Sequence, residues 1–357
     1  MSSSSKQISR RGFGTLMAAL VLPGAASASV KAHRPTHSMK RTLIKPSRLR
    51  AGDLVGLIAP GGHTSDASIE KAVQRIEALG FRVKLGANLR EVHGNYAGSV
   101  QQRIADLHAM FADPEVKAIW CIRGGSGCIS LLSSIDYALI RANPKILLGY
   151  SDITALHLAI LRHAGLVTFH GPVASSGESD YSTEHMLAVL MDPAPTYTIP
   201  MAMENARRAA VEPHYALRTV HGGKATGPLI GGNLSLVSAL AGTAYAADFR
   251  NSLLFIEEVN EAPYRIDRWM TQLDLSVGLA KAAGVVIGIC NHCEGHDEDI
   301  SLSLEQTLDI HLQPLTKPAV TGYSFGHIRN QFTIPMGIRA TLDTERQTLT
   351  LLEPAVS

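Results

Sequence analysis

Between Leu54 and Leu161, short apolar runs alternate with segments of helical period, and this alternation limits the fold more than any other feature of the chain. The apolar runs are Leu54 to Ala59, Phe81 to Leu85, Val116 to Ile122 and Ile146 to Leu148. The helical segments are Ser68 to Leu79, Gln101 to Ala112, Cys128 to Leu132 and a last one starting at Ser151-Asp152 with apolar Ile153, Leu156, Ile160 and Leu161. Uninterrupted apolar strands need cover on both faces, so the order predicts an α/β fold with an open parallel sheet and helices on both sides. In such sheets the ligand crevice lies at the carboxyl ends of the strands. The loop Arg123-Gly124-Gly125-Ser126-Gly127 and the turn Gly149-Tyr150-Ser151 are both predicted there.

Ser151 stands between an apolar strand and a helix, so a tight turn would aim its hydroxyl into that crevice, as a nucleophile requires. The amide of Asp152, in the first helical turn, has no intrahelical acceptor and could stabilise an oxyanion. The same Ser-Asp pair also reads as an ordinary helix cap. The glycine loop has neither the spacing of a dinucleotide fingerprint nor the lysine of a P-loop. It reads equally as a plain turn and as the source of a second oxyanion donor, the Gly125 amide, beside Ser151.

After about Ser175 the periodicity weakens through Ala216, which reads as a connection between domains. Beyond it, short apolar stretches at 227–233, 252–258, 284–289, 319–323 and 339–352 are separated by turns, with helices expected at Leu234 to Ala241 and Arg265 to Leu273. The expected plan is an N-terminal α/β domain at 44–185, a linker at 186–216 and a smaller C-terminal α+β domain at 217–357, whose sheet could curl towards a barrel. A serine nucleophile needs a histidine base and a carboxylate to orient it. The second half offers Glu257 and Glu258 at the end of one apolar stretch and His327 after Gly326 at the end of another. Glu257 alone fits a salt bridge as well as a site, and periodicity cannot pair these residues in space.

The first 28 residues carry Ser9-Arg10-Arg11-Gly12-Phe13, an apolar run from Leu16 to Leu22 and the small-residue segment Ala26-Ser27-Ala28. These are the parts of a twin-arginine export signal, which predicts a periplasmic protein, or a cytoplasmic one if the signal is unused, and 29–43 reads as a spacer. The apolar run is too short for a stable membrane anchor. Removing Lys6, Arg10 and Arg11 with the signal takes the formal charge from +2 to −1, which leaves no electrostatic case for nucleic acid. Cys290 and Cys293 form a CxxC near His292, His296 and Asp297, but without the second half of a zinc motif, so no metal and no cofactor is expected.

The chain from about Ile44 onward resembles the LD-carboxypeptidase family, serine peptidases of family S66 that include murein tetrapeptide carboxypeptidases and microcin-immunity hydrolases. The resemblance rests on Ala59-Pro60, Tyr96-Ala97-Gly98 with Arg103 and Asp106-Leu107, Arg123-Gly124-Gly125, Gly149 to Thr154, His170-Gly171-Pro172, Gly231 to Leu234, the segment LLFIEEVNEAPYRIDRWMTQL and Gly326-His327. It implies a triad of Ser151 as nucleophile, Glu257 as orienting acid and His327 as base, with Glu258 outside it. It also implies amide donors at Asp152 and Gly125, a two-domain fold, a homodimer and a peptidoglycan-derived peptide as substrate. Arg123, Ser126 and Asn233 are the candidates for substrate contacts. Ser126 replaces the tyrosine usual at the family's RGGYG entrance, which bears on substrate fit and not on the chemistry. An amidase acting on acylated nucleotides or peptide conjugates is the first alternative, and a non-catalytic muropeptide-binding protein the second.

Overall fold

The computed structural model describes residues 43–177, 179–192, 194–295 and 300–357. The proposed signal, almost all of the spacer, and His296 and Asp297 lie outside the described residues. In chain order the first half holds β1 (Leu54–Ile58), α1 (Asp66–Ala78), β2 (Arg82–Leu85), α2 (Val100–Ala112), β3 (Val116–Cys121), α3 (Tyr137–Ala142), β4 (Ile146–Gly149), α4 (Thr154–Ala164), β5 (Phe169–His170) and α5 (Asp180–Leu190). It continues with β6 (Tyr197–Ile199), α6 (Met203–Arg208), β7 (Arg218–His221), β8 (Lys224–Asn233), α7 (Leu234–Ala239), β9 (Leu253–Glu257), α8 (Pro263–Ser276), β10 (Gly284–Ile289), α9 (Leu304–Leu312), β11 (Ala319–Gly326), β12 (Ile334–Pro335), β13 (Arg339–Asp343) and β14 (Thr348–Leu351).

A six-stranded sheet has the order β12-β5-β4-β3-β1-β2. It is parallel except for β12, which pairs antiparallel with β5. The apolar strands are its interior: β1 and β4 are buried at every position, while edge strand β2 is largely exposed. Local signals start the helices where the sequence places them. Ser65 caps α1, and Ser99 with Gln102 forms a capping box on α2. Gly165, in the left-handed region, ends α4.

An eight-stranded sheet has the order β6-β14-β13-β8-β9-β10-β11-β7. Its centre, β8 to β11, is parallel, and the outer pairs are antiparallel. The sheet ends on β6 and β7, so the curling allowed for in the sequence does not close a barrel. Residues of both sheets share one buried apolar cluster.

Several elements differ from expectation for local reasons. The expected helix at Cys128 is a 3₁₀ segment, Cys128–Ser134, entered through a left-handed Gly127. The stretch 186–216, read as linker, contains β6 and α6 and the end of α5, and its weak periodicity reflects elements of three to six residues. Arg339 to Leu352 divides into β13 and β14. The helix expected from Arg265 begins at Pro263, whose missing amide is harmless in a first turn. Among the described residues no helix is long and apolar enough to cross a membrane.

Candidate active site

Strand β4 ends at Gly149, and the chain turns so sharply that Ser151 takes φ 64°. A side chain in this region costs on the order of 1–3 kcal/mol and persists only where surrounding contacts enforce it. This is also why the expected helix does not start at Ser151: residues Ser151–Ile153 form a 3₁₀ turn, and the α-helix starts at Thr154. Two contacts hold the elbow. The buried Asp152 carboxylate accepts from the Cys128 amide at 2.8 Å, which ties the elbow to the end of the glycine loop. Burial raises the Asp152 pKa, with Cys128 opposing it. On the other side of the elbow, Thr154 Oγ1 accepts from the Asn233 amide at 3.0 Å. Gly232 is needed there, because a Cβ would lie 2.5 Å from Thr154 Cγ2. Helix α4, which follows Ser151, is thus docked on β8 of the second sheet.

The glycine loop packs directly on Ser151. A Cβ on Gly124 would come within 3.0 Å of Ser151 Oγ and 3.1 Å of the Asp152 nitrogen. The loop is held by buried Arg103, which donates to Pro60 O at 2.8 Å and Gly127 O at 3.0 Å and lies 5.1 Å from the Tyr96 ring. Among the described residues neither the Asp152 nor the Gly125 amide donates to a protein acceptor. Gly124→Ala is expected to lower kcat about a hundredfold, the scale of a 1 Å displacement of reacting groups, and to lower Tm by only a few degrees as the overpacked loop shifts. Steady-state kinetics with a thermal melt checks this, and an alanine variant of wild-type activity would contradict it.

The candidate acid and base come from the second sheet. Glu257 closes β9 with no solvent exposure, and its Oε2 accepts from His327 Nδ1 at 2.7 Å. That bond puts the neutral ring's proton on Nδ1 and leaves Nε2 as the basic nitrogen. His327 follows β11, and its ring lies 4.7 Å from the ring of Tyr150, the residue preceding Ser151. Among the described residues no hydrogen bond joins the Ser151 hydroxyl to His327; such contacts often tighten only when substrate is bound. Burial favours neutral His327, but the charge and hydrogen bond of Glu257, helped by Glu258, outweigh it and raise its pKa above the usual histidine value. Burial also opposes the Glu257 charge, yet His327 holds its pKa below the usual carboxyl value.

The remaining candidates fall into two groups. Arg123 is exposed, with Nη1 donating to His63 O at 2.9 Å, and Ser126 Oγ accepts from Asn95 Nδ2 at 2.6 Å, so both belong to the loop rim. Asn233 is buried beneath the site: its Nδ2 donates to Glu258 Oε1 at 2.8 Å and its Oδ1 accepts from Ser235. Glu258 also takes the Ser235 and Val259 amides at 2.8 and 3.0 Å, and burial with the neighbouring Glu257 charge pushes its pKa up to about 7. The four cysteines are buried and free. Among the described residues no cluster of three or more His, Cys, Asp or Glu is placed to hold a metal. Sequence reasoning passed over Tyr150, Thr154 and the close approach of Gly124, although all three lie in segments it had singled out.

A serine on a strained strand-to-helix elbow, beside an imidazole braced by a buried carboxylate, defines a serine hydrolase. The chain belongs to the LD-carboxypeptidase family, serine peptidases: residues 55–171 match the model of its N-terminal domain and residues 226–342 that of its C-terminal domain. It is 39% identical to a probable murein peptide carboxypeptidase of Bacillus subtilis over 88% of this chain and 95% of that one. It is 30% identical to a murein tetrapeptide carboxypeptidase of Pseudomonas aeruginosa over 82% and 94%. Among solved structures it is similar to an MccF-like protein from Bacillus anthracis (TM-score 0.74, 31% identity, covering 87% of this chain and 99% of that one). A muramoyltetrapeptide carboxypeptidase from Oxalobacter formigenes is also similar (TM-score 0.71, 27% identity, 84% and 97%).

Proposed function

We propose that this protein is an LD-carboxypeptidase that removes a terminal D-amino acid, D-alanine foremost, from peptidoglycan tetrapeptides or muropeptides. The observation that carries the reading is the Glu257–His327 hydrogen bond, which leaves His327 Nε2 basic beside the Ser151 elbow. In the proposed reaction Ser151 Oγ attacks the amide carbonyl while His327 Nε2 takes its proton. The oxyanion is met by the amides of Asp152 and Gly125. The C–N bond then breaks as His327 returns the proton to the leaving D-amino acid, and water, activated by the same imidazole, hydrolyses the acyl-enzyme. Glu257 stays ionised throughout and stabilises the imidazolium.

Arg123 and Ser126 lie on the rim where the substrate's carboxylate and peptide would pass, with Asn233 supporting the site from below. A crevice of about 680 Å³, lined by Asn260, Tyr264, Arg265 and His292, lies between the loops that follow β9 and β10 and the first turn of α8. Asn291, in the same loop, donates to His327 O at 3.1 Å, and the crevice offers room for the rest of the peptide. Twin-arginine export would place this activity in the periplasm, where peptidoglycan peptides are met directly, and a homodimer is the proposed assembly.

Mass spectrometry of a muropeptide digest exposed to the purified protein tests the proposal. Tetrapeptides are expected to lose the mass of one alanine residue and release D-alanine. Unchanged tetrapeptides, or cleavage of an acylated nucleotide in their place, would refute it.

A further inference from the structure

Directly beneath the acid–base pair lies a second histidine that the reaction as described does not use. His170 closes β5, in register with Gly149 at the end of β4, and is completely buried. Among the described residues both of its ring nitrogens lack a hydrogen-bond partner, and so does Glu257 Oε1, the carboxylate oxygen that His327 does not bind. Buried polar atoms are almost always hydrogen-bonded, so three such atoms on two neighbouring residues call for a physical account.

The strand geometry says which way they face. Side chains two apart on a strand share a face, so Glu257 points to the same side of β9 as Phe255. The His170 ring meets the Phe255 ring edge-on at 5.4 Å. It also lies 6.0 Å from Tyr150, whose own ring is 4.7 Å from His327. His170 therefore lies on the Glu257 side of β9, between Phe255 and Tyr150, where the charges of Glu257 and His327 both act on it. The ring of His157 is 6.5 Å away, and its Nε2 is held at 2.8 Å by Gly149 O. Burial keeps His170 neutral, with its pKa down to about 4 although the Glu257 charge opposes this. A neutral imidazole has one N–H to donate and no charge to compete with His327 for the acid.

We propose that His170 is a positioning residue that donates a hydrogen bond to Glu257 Oε1, directly or through one bridging water, and so fixes the carboxylate rotamer that orients His327. Glu257 is then held at both oxygens, by His327 at Oε2 and by His170 at Oε1. This rests on Glu257 acting as the orienting acid, and one arm of the test below does not depend on turnover.

The first arm compares His170→Gln, which keeps an N–H donor, with His170→Leu, which fills similar space without one. For His170→Leu, kcat on a tetrapeptide is expected to fall about tenfold or more, the scale seen when an outer hydrogen-bond partner is lost, with KM within twofold. His170→Gln is expected to keep most of kcat. Equal losses in the two variants, or wild-type kcat in His170→Leu, would overturn the proposal. The second arm needs no change at His170: ring ¹⁵N shifts of His170 are measured in wild type and in Glu257→Gln. A shift at the donating nitrogen supports the link, and unchanged shifts at both ring nitrogens refute it. This arm decides alone if His170→Leu fails to fold or if the tetrapeptide proves not to be the substrate.

Discussion

Ser151→Ala is expected to abolish turnover of a tetrapeptide ending in D-alanine, with kcat falling about 10⁶-fold, because a triad loses nearly all of its benefit when the nucleophile is removed. What survives is binding and the Asp152 and Gly125 amides, which can still polarise the carbonyl for attack by water. The variant should fold. Alanine gives up little packing, since among the described residues Ser151 Oγ makes no hydrogen bond that fixes the elbow, and the elbow's tethers are the Asp152 carboxylate and Thr154 Oγ1. Alanine pays the same backbone cost at φ 64° that serine does. Unchanged KM or substrate Kd with D-alanine release below about a hundredth of wild type is the expected result. A variant that releases D-alanine at a rate near wild type would remove Ser151 from the mechanism.

The second large effect is expected for Glu257→Gln. The carboxamide can present an N–H to His327 Nδ1, which favours the tautomer with its proton on the nitrogen that must accept from Ser151. In a comparable triad this costs about 10⁴-fold in kcat. The pH dependence carries a sign as well. His327 must be neutral to act as base, and its raised pKa places the acid limb of wild-type kcat/KM above pH 6.5, the unperturbed histidine value. Without the Glu257 charge, burial dominates, so the acid limb of the residual activity is expected to move to lower pH. An acid limb that stays in place would mean that Glu257 does not set the base.

Stability should follow the same pair. The raised His327 pKa stabilises the fold fully below pH 6.5, and this is lost as pH rises through the folded value. The lowered Glu257 pKa stabilises above pH 4.5 and is lost as pH falls through the folded value. The Tm difference between wild type and Glu257→Gln should therefore be largest between about pH 4.5 and 6.5.

Local chemistry explains why much of the first sheet could be read directly. Its strands are buried on both faces, so LVGLI and ILLG are continuous apolar words, and Ser65 and Ser99 mark helix starts by capping them. The second half was harder. Its outer strands pair antiparallel across long separations, as β13 does with β8 and β6 with β14, and no local period records such partners. The segment holding β6 and α6 looked like a linker because its elements are too short to show a period. Within the site, Ser151 stood out as a residue on a strand-to-helix junction, whereas its left-handed φ did not, since that conformation is imposed by Asp152, Cys128 and the docking of Thr154 on Asn233.

The residue order thus settled what a chain can settle through its neighbours: which segments are strands, where helices are capped, and which side chains with the right chemistry sit at strand ends. Resemblance to a family named the three partners. Only the folded molecule brought Glu257 Oε2 to 2.7 Å from His327 Nδ1 across 70 residues, set His327 against Tyr150 and placed His170 beneath them. Such contacts arise where two sheets pack on one shared core. The energy that joins them is the burial of apolar surface, which is non-directional: it marks in the sequence which segments are buried and leaves unrecorded which of them become partners.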